Sequence, residues 1–211
     1  MKFPVTSIEA TTSLRHMLKR GTAGPHRRLE AQLGLLEPGL DTRRYRRVLE
    51  LLYGFYSPVE RSLMCFASLV PFPLRARSAQ LEDDLTALGL HPAELAGLPQ
   101  CADAPTLSCS EDLAGCLYVL EGASLGGQVA APVLRERLGV AKGRGASFFA
   151  GDEASTPARW AAVVEWLEGL TRAGAPAGPI VAAASATFEA LAQWVAGQEP
   201  SWSSRGNPWS I

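Results

Sequence analysis

SEDLAGCLYVLEGASLGGQVAAPVLRERL, Ser110 to Leu138, is the stretch that decides the fold class. It shows no two-residue alternation, opens on Ser110 with Glu111 and Asp112, and stops at Gly139. A hydroxyl suits a helix start, acids suit the positive helix end, and glycine suits the stop. The spacing therefore predicts a single long helix, about 43 Å if straight at about 1.5 Å per residue. Gly122, Gly126 and Gly127 weaken its middle. Pro132 cannot donate to the Gln128 carbonyl and crowds it, so a bend is expected there.

The remaining chain agrees with this reading. Its 211 residues are 47% hydrophobic and 19% charged, enough for one domain over 1–211 that buries a core. It has 32 Ala and 29 Leu against 12 Val, 3 Ile and 10 Thr. Ala and Leu lose little rotamer freedom in a helix, whereas β-branched residues lose more, so an all-α protein is expected. Period and punctuation divide the chain into about seven helical segments. One covers 12–20 and a second starts at Pro25, with Leu29, Leu33 and Leu36 inward. A third covers 43–69, capped by Asp41 or Thr42 and kinked by Pro58, with Tyr45, Val48, Leu49, Leu52, Phe55 and Tyr56 as its apolar stripe. Segments over 74–88, with Gly89 as its stop, and 93–96 precede the long helix. Two more open on Thr156-Pro157 and Gly178-Pro179, prolines placed at first helical positions, and end near Thr171 and Gly197. The tail, 201–211, reads equally as an ordered cap or a frayed end.

A formal net charge of −1 excludes binding to nucleic acid through overall basicity. The charge is uneven: residues 1–63 carry 11 Lys/Arg and 6 Asp/Glu, and residues 64–211 carry 9 and 15. That N-terminal excess suits an anionic ligand or a solvated helix face. Cys65, Cys101, Cys109 and Cys116 have spacings unlike a zinc site or a small disulfide framework. No signal-peptide pattern and no run of 18 apolar residues is present, so a cytoplasmic protein without a membrane span is expected.

Three histidines can be compared directly. His16 sits on a polar face beside Arg15 and Lys19, and His91 lies in a loop before Pro92. His26 has Glu30 one helical turn beyond it, on the same face. A metal-ligating imidazole usually has its second nitrogen oriented by a carboxylate or carbonyl, and Glu30 is placed for that. An exposed His/Glu pair would look the same. The glycines of the long helix cost on the order of 1 kcal/mol each relative to Ala. Two things could compensate: close helix packing through Gly122 and Gly126, or a flat ligand lying on the bare backbone. Lys142-Gly143-Arg144-Gly145 lacks the ending of a phosphate loop.

Two runs, Leu18-Lys19-Arg20-Gly21-Thr22-Ala23-Gly24-Pro25-His26-Arg27-Arg28-Leu29-Glu30 and Leu117-Tyr118-Val119-Leu120-Glu121-Gly122-Ala123-Ser124-Leu125-Gly126-Gly127-Gln128, resemble the proximal and distal haem helices of bacterial haem oxygenases. The type found beside bacteriophytochromes looks closest, and the likeness runs from Leu14 to Trp194. It implies a helical bundle with haem between a proximal and a kinked distal helix. His26 matches the proximal iron ligand and Glu30 the acid that orients it. Lys19 and Tyr118 match residues that contact haem propionates. Gly122 and Gly126 match the catalytic glycines whose backbone lies over the haem, and Ser124 and Gly127 belong to the same haem-binding stretch.

The resemblance further implies haem b as both cofactor and substrate, opened with O2 and electrons from an external reductant to biliverdin, CO and Fe2+. The IXα isomer is the expected product. Expected partners are an electron donor such as ferredoxin or a flavin reductase, and a bacteriophytochrome receiving the biliverdin. Two departures stand out. Gly24-Pro25 precedes the histidine, which would separate Lys19 from His26 if the helix breaks there. Ala123 stands where animal members have an aspartate, leaving distal waters to Ser124, Gln128, backbone carbonyls or other anchors. The rival readings are a non-catalytic haem- or bilin-binding protein of the same fold and a plain helical interaction protein. A thiaminase-like or di-iron relative would need more histidines than the chain supplies.

Overall fold

The computed structural model describes residues 13–151 and 155–198, and the expectation for 201–211 lies outside them. The helices in chain order are α1 (Leu14–Leu33), α2 (Thr42–Met64), α3 (Arg77–Ala87), α4 (Pro92–Ala96), α5 (Ser110–Leu138), α6 (Ser147–Ala150), α7 (Thr156–Arg172) and α8 (Ala177–Gly197). No strand occurs among the described residues, only isolated bridges of Ala141 with Arg144 and Gly145. The all-α expectation holds.

Helix α5 has the expected bounds, with Gly139 in the left-handed region at φ 71°. Its cap position falls on Cys109, and the Ser110 hydroxyl instead hydrogen-bonds the Glu111 carboxylate. Helix α2 begins on the Asp41 cap, whose carboxylate accepts from Arg44 N–H at 2.7 Å. It ends at Met64, short of 69, and a 3-10 turn, Ala67–Leu69, completes the stretch. Every residue of its expected stripe is buried.

The expected break at Pro25 does not occur, and one helix runs from Leu14 to Leu33. Proline removes the bond to the Gly21 carbonyl, but Gly21 is exposed, so water can take that oxygen. Packing offsets the cost. Leu18, Thr22, Pro25 and Leu29 form a buried stripe, and a Cβ on Gly21 would lie 2.4 Å from Val181 Cγ1 of α8. The α1 N-terminus is also held from α7, because the Glu168 carboxylate accepts from Leu14 N–H at 3.3 Å and Arg15 N–H at 2.9 Å.

Helix α8 is long and apolar enough to cross a membrane by composition, yet Ile180, Ala184, Phe188, Leu191, Ala192 and Val195 are buried. It lies against both α1 and α5 and places them in one layered arrangement. Gly115 makes the α5 crossing close: a Cβ there would meet the Ala184 nitrogen at 2.5 Å. Helix α6, absent from the sequence expectation, is tied to α3. Asp84 accepts Ser147 N–H at 2.6 Å and Phe148 N–H at 2.8 Å.

Candidate haem site

The unbroken α1 decides how the proximal residues relate. Seven residues are almost two full turns, so Lys19 and His26 project from the same side. Both are exposed. His26 Nδ1 stands 3.5 Å from Glu30 Oε2, beyond the usual length of a direct N–H···O bond. The Phe188 ring meets the imidazole edge-on at 5.2 Å. The imidazole thus has a neighbour on two sides while its side chain remains 49% exposed, and Nδ1 is the nitrogen that faces the carboxylate.

On α5 the glycines divide by use. Gly127 serves packing, since a Cβ there would lie 2.4 Å from the Phe149 carbonyl oxygen of α6. Gly126 faces open space, with nothing within 4 Å of its would-be Cβ, and Val129 beside it is 63% exposed. Gly122 lies between these cases: its would-be Cβ meets the six-membered ring of Trp160 at 3.6 Å. The exposed face of α5 is therefore apolar and free of side chains at Gly126, and bounded by an indole at Gly122.

Tyr118, one turn before Gly122, connects this face to α1. Its ring centroid is 5.6 Å from that of Trp160. Burial raises the phenol pKa, while hydrogen bonding with Thr22 and the Arg15 charge lower it. Thr22 itself donates to the Leu18 carbonyl at 2.8 Å. Thr22 and the Arg15 charge of α1 thus meet the Tyr118 phenol of α5.

Ser124 is buried, and its hydroxyl accepts a hydrogen bond from the Arg77 guanidinium. Arg77 also donates to the Phe148 carbonyl at 2.7 Å and stacks on the Phe148 ring at 4.1 Å. Its backbone N–H is accepted by Glu60 at 2.7 Å. Burial pushes the Glu60 carboxyl pKa up, against the pull of its Ser78 and Arg77 bonds. Beside this cluster lies a cavity of about 480 Å³, lined by Ser57, Arg77, Leu117, Leu120 and Glu121 among others. Glu121 pairs with Arg159 of α7, and both are nearly buried.

Arg77, Glu121, Arg159 and Trp160 do not stand out in the sequence reading. An isolated arginine or glutamate on a helix usually reads as surface, and only the partner helix reveals that it is buried. Glu121 inside the apolar run of α5 was the one available signal.

A single haem fits these residues. One neutral imidazole with its second nitrogen toward a carboxylate suits an axial iron ligand, and bare helix backbone suits a flat ring. Among the described residues no three His, Cys, Asp or Glu side chains gather to hold a metal ion. No curated protein matches the chain. The family model for Heme oxygenase matches residues 12–197, a span that includes His26 and the α5 glycines, and the chain belongs to the haem oxygenase family.

Proposed function

We propose that the chain, as one haem-oxygenase domain, opens haem to biliverdin IXα, CO and Fe2+. Haem as substrate supplies the iron and the meso carbon that is oxidised; O2 and electrons from a ferredoxin or flavin reductase complete the reaction. The observation that carries this reading is the continuity of α1 through Pro25, which keeps Lys19 and His26 on one side.

In this reading His26 holds the iron through Nε2, and Glu30 orients the ring and favours the N–H on Nδ1. Lys19, Arg15 and the Tyr118 phenol bind the substrate's carboxylates at one end of a haem groove between α1 and α5. Gly126 lets a macrocycle approach the α5 backbone, and Gly122 marks the edge of that approach, where the Trp160 indole covers it. Ala123 brings no carboxylate, and the polar groups behind α5 are Arg77 and Ser124. Arg77 holds the Ser124 turn of α5 from behind, so the glycine backbone keeps its position. Delivery of the bilin to a bacteriophytochrome in a bacterial cytoplasm belongs to the same proposal and rests on the sequence likeness.

Titration of the apo protein with haemin, followed by ascorbate and air, tests the reading. A Soret band that saturates at one equivalent, then bilin absorption and released CO, is the expected result. Haem binding without bilin would leave the non-catalytic haem-binding reading. No spectral change would overturn both.

A further inference from the structure

We propose that Trp160 is the edge stop of the haem groove, fixing the in-plane rotation of the bound ring and hence which meso carbon is opened. This rests on the haem oxygenase reading and adds a specificity-determining residue to it.

Three observations converge on Trp160. The first is its position at a boundary: the α5 face is open at Gly126 and covered at Gly122, where the indole lies 3.6 Å from the would-be Cβ. A flat ring sliding along the bare backbone from Gly126 reaches the indole next. The second is that the indole is held in place. Its chain neighbour Arg159 pairs with buried Glu121 of α5 and stacks over Phe72 at 4.3 Å. That nearly dry ion pair fixes the start of α7 against α5, and with it the backbone that carries the indole. The Tyr118 ring, one turn before Gly122 on α5, also packs against the indole, with ring centroids 5.6 Å apart.

The third observation is chemical. Trp160 stands at the end of the groove where Tyr118 meets Thr22 and feels the Arg15 charge. That is the end suited to carboxylates, and Trp160 Nε1–H has no hydrogen bond to a described residue. Trp160 is only half-buried, and a part-exposed indole N–H can take water or a ligand as its acceptor. A carboxylate of the substrate supplies one. An amphiphile with acids on one edge is then fixed twice, by the ring as a wall and by the N–H as a donor. A ring rotated by a quarter turn would lose the second contact and press on the first.

The test compares the full chain with Trp160→Phe and Trp160→Ala, each checked for folding by far-UV circular dichroism. Proton NMR of the ferric cyanide complexes reads ring orientation from the haem methyl resonances, independently of turnover. Product isomers are then separated by chromatography. The wild type is expected to show one dominant methyl set and one isomer. Trp160→Ala should show at least two sets, with the minor isomers raised about tenfold and haem affinity weakened by a similar factor. Trp160→Phe keeps a wall but loses the N–H and should fall between. A folded Trp160→Ala with the wild-type methyl pattern and isomer would overturn the proposal while leaving the haem oxygenase reading intact. If Trp160→Ala does not fold, Trp160→Phe decides, and an unchanged pattern there overturns it. A wild type that binds no haem sinks the underlying reading instead.

Discussion

The guanidinium of Arg77, in the first turn of α3, donates to the hydroxyl of Ser124 in the middle of α5. A charged side chain that is only 4% exposed thereby holds the glycine-rich helix from the side opposite its open face. Removing it would leave the Ser124 hydroxyl and the Phe148 carbonyl without their donor in the interior. Arg77→Met should cost about 3 kcal/mol, the usual scale for breaking a buried charged network. Urea unfolding measures it. Ser124→Ala, which removes one acceptor only, should cost about 1 kcal/mol. Equal losses for the two variants would contradict this ranking.

Gly126 and Gly127 are neighbours in sequence with opposite expected responses to alanine. At Gly127 a methyl group would enter the Phe149 carbonyl, so Gly127→Ala should destabilise by about 2 kcal/mol or more through overpacking. At Gly126 a methyl meets nothing, and helix propensity alone should raise stability by about 0.5–1 kcal/mol. The same methyl stands on the face where a flat ring would lie, so Gly126→Ala should bind haemin more weakly while melting higher. Thermal melts and haemin titrations on the two variants check both signs.

His26→Ala should retain the fold, since the side chain is half exposed and its Glu30 contact is long. Its haemin complex should lose the spectrum of an imidazole-ligated iron and regain it on addition of free imidazole. Glu30→Gln should keep the ligand and weaken affinity about tenfold, the lower end expected for a residue that orients a metal-bound histidine. A variant without His26 whose Soret band and affinity match the wild type would remove it as the ligand.

Burial pushes the Tyr56 phenol up to about 12, with the Arg77 charge acting against the shift. The unfolded chain releases that proton near pH 10 and the folded chain holds it longer. Stability from this group is therefore complete below about pH 10 and falls as pH rises toward 12, by up to about 3 kcal/mol. Unfolding followed from pH 8 to 11.5 should show this alkaline decline, and Tyr56→Phe should make it shallower, leaving the part due to Tyr45 and Cys116, which burial also pushes up. An identical slope in the variant would assign the decline to other groups.

Much of this architecture was legible because local chemistry and tertiary fate agree. Ser110 to Leu138 carries acids at its start, arginines at its end and Gly139 beyond, and it folds within those marks. Asp41, Thr156-Pro157 and Gly178-Pro179 likewise mark helix starts close to where they occur. Pro25 misled because its local cost is real and its compensation lies 156 residues away at Val181. Helix α6 escaped notice because four residues have no periodicity to read; its anchor is Asp84 on another helix. The site divides in the same way. His26, Glu30 and Lys19 share one helix and could be related by spacing, while Arg77, Glu121, Arg159 and Trp160 acquire meaning only when α3, α5 and α7 come together.

Helix α8 packs against α1 through Val181 and against α5 through Ala184, with a glycine opposite each. The separation of the imidazole helix and the glycine helix is thus gauged by a third element, α8. Enlarging a small side chain along α8 would act as a shim, widening the gap by fractions of an ångström. On the proposed function, the tolerance of a haem groove between them would be set from outside it.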